Sequence, residues 1–123
     1  MAQLVAHFPL NWFTRRRDPK ALPTDPLMRQ ELVRRAERAL RAGKLQLANG
    51  LLEECGDGYL RDAACLNVLG LIAEANDDWK SARRHWRCAV RADRSYQPAW
   101  QNIRRHFELF NWGQSRLSAA FAE

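Results

Sequence analysis

Shifting the sequence against itself by 34 positions lays large apolar residues on large ones and small residues on small ones. Leu32, Leu66 and Trp100 fall in one column. Trp79 falls on Leu45, Ala82 on Ala48, Trp86 on Leu52 and Ala89 on Cys55. A period of this length marks a repeat architecture, in which one unit cannot bury its apolar face alone and stacks on its neighbours instead. The expected unit is a helical hairpin. Its two helices approach closely at the small residues, and the large ones fill the space between hairpins.

The local signals agree with that period. Asp25 can cap a helix that opens on Pro26, whose missing N–H is not needed there, and Gly43 can close it, so the first helix is expected over about 26–42. Leu45, Ala48, Leu51, Leu52 and Cys55 recur at three and four residues, one face of a second helix that Gly56-Asp57-Gly58 ends. A third helix, about 61–75, carries Cys65, Leu66, Leu69, Ile72 and Ala73. Asp78 can cap a fourth, to about 92, with Trp79, Ala82, Trp86, Ala89 and Val90 inward. A fifth runs from Tyr96 to Phe110 with Trp100, Ile103 and Phe107 inward, and a short sixth is expected over about 114–122. No segment has a strand period. The chain therefore reads as all-α, with short connections that make neighbouring helices antiparallel.

At these residues the chain resembles the tetratricopeptide repeat family. The middle unit matches best. Leu66 stands for the first large residue, Leu69-Gly70 for the Leu-Gly pair and Ala73 for an aromatic, while Trp79, Ala82, Trp86 and Ala89 complete the second helix and Asp93 precedes Arg94 where the family has Pro. The first unit has Ala36 in place of the Gly but keeps Gly43, Leu45, Ala48, Leu52 and Cys55. The third keeps Trp100, Ile103 and Phe107 but has Arg104 at a small position. The resemblance implies a right-handed stack of three antiparallel hairpins over residues 25–123, the third acting as a solvating cap, with residues 1–24 as a separate arm. It also implies a concave groove, lined by the first helix of each hairpin, that accepts a partner's peptide or helix. The lining residues implied are Val33, Glu37 and Arg41, then Asn67, Leu71 and Glu74, then Gln101, Arg105 and Glu108. The clamp that relatives use on the carboxylate of chaperone tails is missing, because its places hold Val33, Glu37, Val68, Pro98 and Asn102.

Composition excludes more than it names. The 123 residues are enough for one modest core and too few for two domains. A formal charge of +6 favours acidic partners but is diluted by fourteen carboxylates. No apolar run approaches the roughly 20 residues of a membrane span. The N-terminus lacks a secretory pattern, because His7, Pro9 and Asn11 break its apolar stretch. Cys55, Cys65 and Cys88 form neither a disulfide framework nor a metal knuckle, which points to buried thiols and a cytoplasmic location. There is no phosphate loop, HExxH helix or nucleophile elbow, so no catalysis, cofactor or metal is expected. Asp77-Asp78 reads as a turn followed by a cap.

Two further features bear on partners. Phe8, Leu10, Trp12 and Phe13, followed by Arg15, Arg16 and Arg17, are not needed by the repeats. This arm suits a protein partner, self-association, packing on its own domain, or a membrane surface. Arginines also line outward faces: Arg34, Arg38 and Arg41 on the first helix, and Lys80, Arg84, Arg87 and Arg91 on the fourth. Such stripes can neutralise phosphates, although Trp79, Trp86 and Trp100 are expected in the core rather than free to stack bases. The leading expectation is a protein–protein adaptor or assembly subunit, and a nucleic-acid accessory protein is the alternative.

Overall fold

A computed structural model of the chain describes residues 25–122. The arm, with Phe8, Leu10, Trp12, Phe13, Arg15, Arg16 and Arg17, lies outside the described residues. Within them are five α-helices and no strand: α1 (Pro26–Arg41), α2 (Leu45–Glu53), α3 (Ala63–Ala75), α4 (Trp79–Ala92) and α5 (Gln97–Trp112), with a 3₁₀ turn at Asp57–Arg61. None of these helices is long and apolar enough to cross a membrane.

Each helix starts and stops for a local reason. The Asp25 carboxylate accepts from Leu27 N and Pro26 opens α1; Asp62 accepts from Cys65 N at the head of α3, and Asp78 from Ser81 N at the head of α4. Hydrogen bonding from the Ser81 hydroxyl, and then from its N–H, holds the Asp78 carboxyl below its ordinary pKa. The ends of α1 and α3 are the same motif one period apart. Gly43 N and Lys44 N donate to Leu40 O and Ala39 O, and Asp77 N and Asp78 N donate to Glu74 O and Ala73 O. Gly43 and Asp77 occupy the left-handed region, with φ of 77° and 62°. Asp77-Asp78 is thus a helix stop followed by a helix cap.

α1 packs on α2, α3 on α4 and α5 on α4, while α1, α3 and α5 lie side by side. Leu32, Val33, Ala36 and Ala39 of α1 meet Ala48, Leu51, Leu52 and Cys55, and then Cys65, Val68 and Ile72 of α3, in one buried cluster. Leu71, Ala82 and Trp86 form another. α3 and α4 approach most closely at Gly70. A Cβ built there would lie 2.6 Å from Trp86 Cδ1 and closer still to Nε1, so only glycine fits against the indole.

The sixth helix is not formed. Gly113, at φ 72°, caps α5, and residues 114–122 run on without helical structure. Their backbone groups are taken up by side chains of other helices, which replace the internal ladder a helix would need. With no helix packed over α5, Trp100 and Phe107 are not inward: they are 45% and 55% exposed, and only Ile103 is partly buried. Cys55 and Cys65 are buried, and Cys65 is pushed up in pKa by its hydrogen bond with Cys55 and by burial. Cys88 is only half-buried.

Gly70→Ala is expected to lower stability by about 1–3 kcal/mol through overpacking against Trp86. Urea unfolding checks this; an unchanged midpoint would show that α3 and α4 can part at no cost.

Candidate functional site

The post-α5 segment crosses the face built by α1, α3 and α5, and this is where the expected groove residues lie. Ser115 Oγ donates to Glu108 Oε1 at 2.6 Å, and Gln101 Nε2 donates to Ser118 O at 3.0 Å, both on α5. Over α3, Asn67 Nδ2 donates to Ala120 O at 3.0 Å. Over α1, the Arg41 guanidinium sits 4.1 Å from the centroid of the Phe121 ring, and Ala122 N donates to Glu37 Oε2 at 2.7 Å. Leu71, with Leu40 and Ile103, packs on Ala119 and Phe121. Val33 is buried in the α1–α2 core and lines the cavity of about 560 Å³ into which Ala122 emerges.

Glu74 and Arg105 hold each other across α3 and α5. Arg105 Nη2 donates to Glu74 Oε1 and Nη1 lies against Oε2, each at 2.6 Å, and the Arg105 side chain is almost fully covered. Such a planar two-point pair is the strong form of ion pair. It supplies no free charge to the groove.

The central groove residue was not singled out from the sequence. Asn102 is 0% exposed. Its Nδ2 donates to Asn67 Oδ1 at 2.8 Å and to Ala120 O at 2.9 Å, while its Oδ1 accepts from Ala120 N at 2.9 Å. One amide side chain thus treats Ala120 as a neighbouring β-strand would, binding its N–H and C=O together. Asn67 is held in place behind it, because Trp86 Nε1 donates to the Asn67 carbonyl at 3.2 Å. In the sequence Asn102 stands at one of the places of the missing carboxylate clamp, one period after the buried Val68, outside the implied groove lining.

The outward charges divide into two kinds. Arg34 and Arg38 of α1 reach Glu31 at 3.8 and 3.4 Å, Arg29 reaches Asp62 at 3.3 Å and Arg104 reaches Glu108 at 3.2 Å. On α4, Lys80, Arg84, Arg87 and Arg91, joined by Arg83, are exposed and make no ion pair with any described residue. With Cys88 they line a depression of about 280 Å³. Arg83 also borders an aromatic slot of about 320 Å³ formed with Trp79, His106, Leu109 and Phe110. Trp79 and His106 rings are 4.7 Å apart, and His106 stacks on Phe110 at 6.1 Å. Of the tryptophans expected in the core, Trp86 is fully buried, while Trp79 is half-buried in this slot and Trp100 is exposed. Among the described residues no group of His, Cys, Asp and Glu is arranged to hold a metal ion.

Desolvation holds His106 below its ordinary pKa of 6.5, helped by Arg83, Arg105 and Arg87 and opposed by Glu74; burial does the same to His85, with Arg84 adding to it and Asp78 opposing. As pH falls through about 6.5 the unfolded chain binds these protons before the folded one, so this stability is present above that pH and is lost below it. The melting temperature is expected to fall between pH 7.5 and 5.5, and His106→Phe, which keeps the ring stack, to flatten the fall. An unchanged pH profile in that variant would remove His106 as its source. No family model, curated protein or solved structure matches the chain.

Proposed function

We propose that this chain is a non-catalytic adaptor whose α1–α3–α5 groove holds an extended segment of a partner protein, in the manner of a tetratricopeptide-like stack. One observation carries the reading: the amides of Asn67 and Asn102 bind both backbone groups of a residue outside any helix, Ala120. Binding the main chain gives affinity that any extended peptide can use, and the neighbouring side-chain sites then select among peptides. The 34-residue period, the matched stops at Gly43 and Asp77 and the Gly70–Trp86 contact support the repeat reading of the fold. Glu74 is paired with Arg105 and Glu108 with Arg104, so this lining offers little free charge and favours neutral segments. The arm over residues 1–24 is proposed as a second attachment point, to a protein partner or to another copy.

The test is selection of random octapeptides on the full chain, followed by titration against Asn102→Leu. Selected peptides are expected to lose at least tenfold in affinity in that variant, about 1.4 kcal/mol. Equal binding by the variant would place the peptide site elsewhere.

A second reading rests on a separate observation, the unpaired cations of α4 beside the Trp79–His106–Phe110 slot. Cations that track a backbone next to rings that can stack bases suit a single-stranded nucleic acid. If Lys80, Arg84, Arg87 and Arg91 each neutralise a phosphate, affinity for an oligothymidylate falls with salt at a log–log slope of about −3. Arg84→Glu with Arg87→Glu then abolishes binding and leaves groove peptides unaffected. Flat salt dependence would end this reading.

A further inference from the structure

We infer that residues 115–122 are a resident ligand of the groove, which a partner must displace with an extended, neutral segment that places an alanine-sized residue at the Asn67–Asn102 pair and an aromatic residue next to it. The inference rests on the groove reading proposed above and adds both a regulation and a partner pattern to it.

The segment is held as a ligand is held. Its main chain is bound at Ser118, Ala120 and Ala122 by side chains from α5, α3 and α1, and not by a helical or strand ladder of its own. Among its own residues the structure shows one hydrogen bond, Leu117 N to Ser115 Oγ at 3.1 Å. It is tied to α5 through Gly113 and Gln114, both exposed. The α1–α2–α3 core cluster contains none of its side chains, and the Leu71–Ala82–Trp86 cluster meets it only at Ala119 and Phe121. The helices therefore keep their mutual packing when it leaves, which is the condition for a local opening rather than global unfolding.

The same contacts define what replaces it. Main-chain bonds at Ala120 carry no sequence information, so selectivity falls to the side chains on either side. Ala120 is 9% exposed, leaving room for little beyond a Cβ. Phe121 offers its ring to the Arg41 guanidinium and packs against the Leu71–Ala82–Trp86 cluster. Residues 117–122, between Arg116 and Glu123, carry no charge, and the buried Glu37 carboxylate is met by an uncharged main-chain N–H, that of Ala122. A groove filled in cis binds a competing segment with an affinity reduced by the fraction of molecules that are open. Short tethers of this kind present their segment at millimolar effective concentration.

The test uses a fluorescein-labelled peptide of residues 115–122, titrated by anisotropy against the full chain. The variants are Ala120→Asp, which places a charge in a buried site, and Ala122→Pro, which removes the N–H given to Glu37 and fixes φ at that residue. Both are expected to bind the peptide at least tenfold more tightly than the unchanged chain. Adding Asn102→Leu to Ala120→Asp is expected to abolish binding, as is Ala120→Trp within the peptide. Equal affinity for the unchanged chain and both variants would overturn the resident-ligand inference and leave the groove reading standing. No binding to variants that retain helical circular dichroism would overturn both. If Ala120→Asp loses its helical signal, Ala122→Pro decides. Amide exchange in the unchanged chain gives an independent check: Ala120 is expected to exchange at least tenfold more slowly than Gln114, and equal rates would overturn the inference.

Discussion

The absence of a side chain at Gly70 is what lets the rest of this structure assemble. The Trp86 indole lies against the α3 backbone at that point, where a Cβ would collide with three of its ring atoms. From there Trp86 Nε1 donates to the Asn67 carbonyl, so one buried residue sets both the separation of α3 from α4 and the position of the groove amide. Carbonyl oxygens have two lone pairs, so Asn67 gives this bond without losing its place in the helix. Core packing and the binding face are thus mechanically linked.

The groove that results is polar at its floor and nearly closed to water. Asn67 and Asn102 are fully buried, Glu37 is 2% exposed, and buried polar groups need partners. Asn67 and Asn102 satisfy part of one another, and the remainder falls to an extended backbone. An apolar helix laid along the same face would leave the Asn102 carbonyl oxygen and the Glu37 carboxylate without the N–H groups they now receive. The chemistry of the floor therefore favours a main chain in extended form, and the chain's own residues 118–122 supply one.

Charge is sorted by face. Arg34 and Arg38 of α1 and Arg104 of α5 find carboxylates on their own helices, and Arg105 is locked to Glu74 on α3. The cations of α4 find none among the described residues, and Arg83, Arg84 and Arg87 add to the burial that holds His85 and His106 down in pKa. One molecule thus carries a face whose buried amides hold the backbone of its own Ala120 and, on a different helix, a surface of unbalanced positive charge.

Helix order and helix ends were legible in the sequence because they depend on neighbours along the chain: a cap at Asp25 or Asp78, a stop at Gly43, and apolar residues returning every three or four positions. The 34-residue period carried further, since equivalent positions in successive units meet equivalent surroundings, and the resemblance resting on it implied Glu37, Asn67, Leu71 and Gln101 on one face. Residues 114–122 were misread as a helix, because Leu117, Ala119, Ala120 and Phe121 suit a helix locally, and the competing bonds come from Asn67, Asn102 and Glu37, far away in the chain. Asn102 went unrecognised for the same reason, since an amide at a core position has meaning only once its partners are known. The exposure of Trp100 and Phe107 follows from the missing helix over α5. Local chemistry decided where helices begin and end, and tertiary structure alone decided which backbone the groove holds, because that choice is made by hydrogen bonds between residues 18 to 85 positions apart.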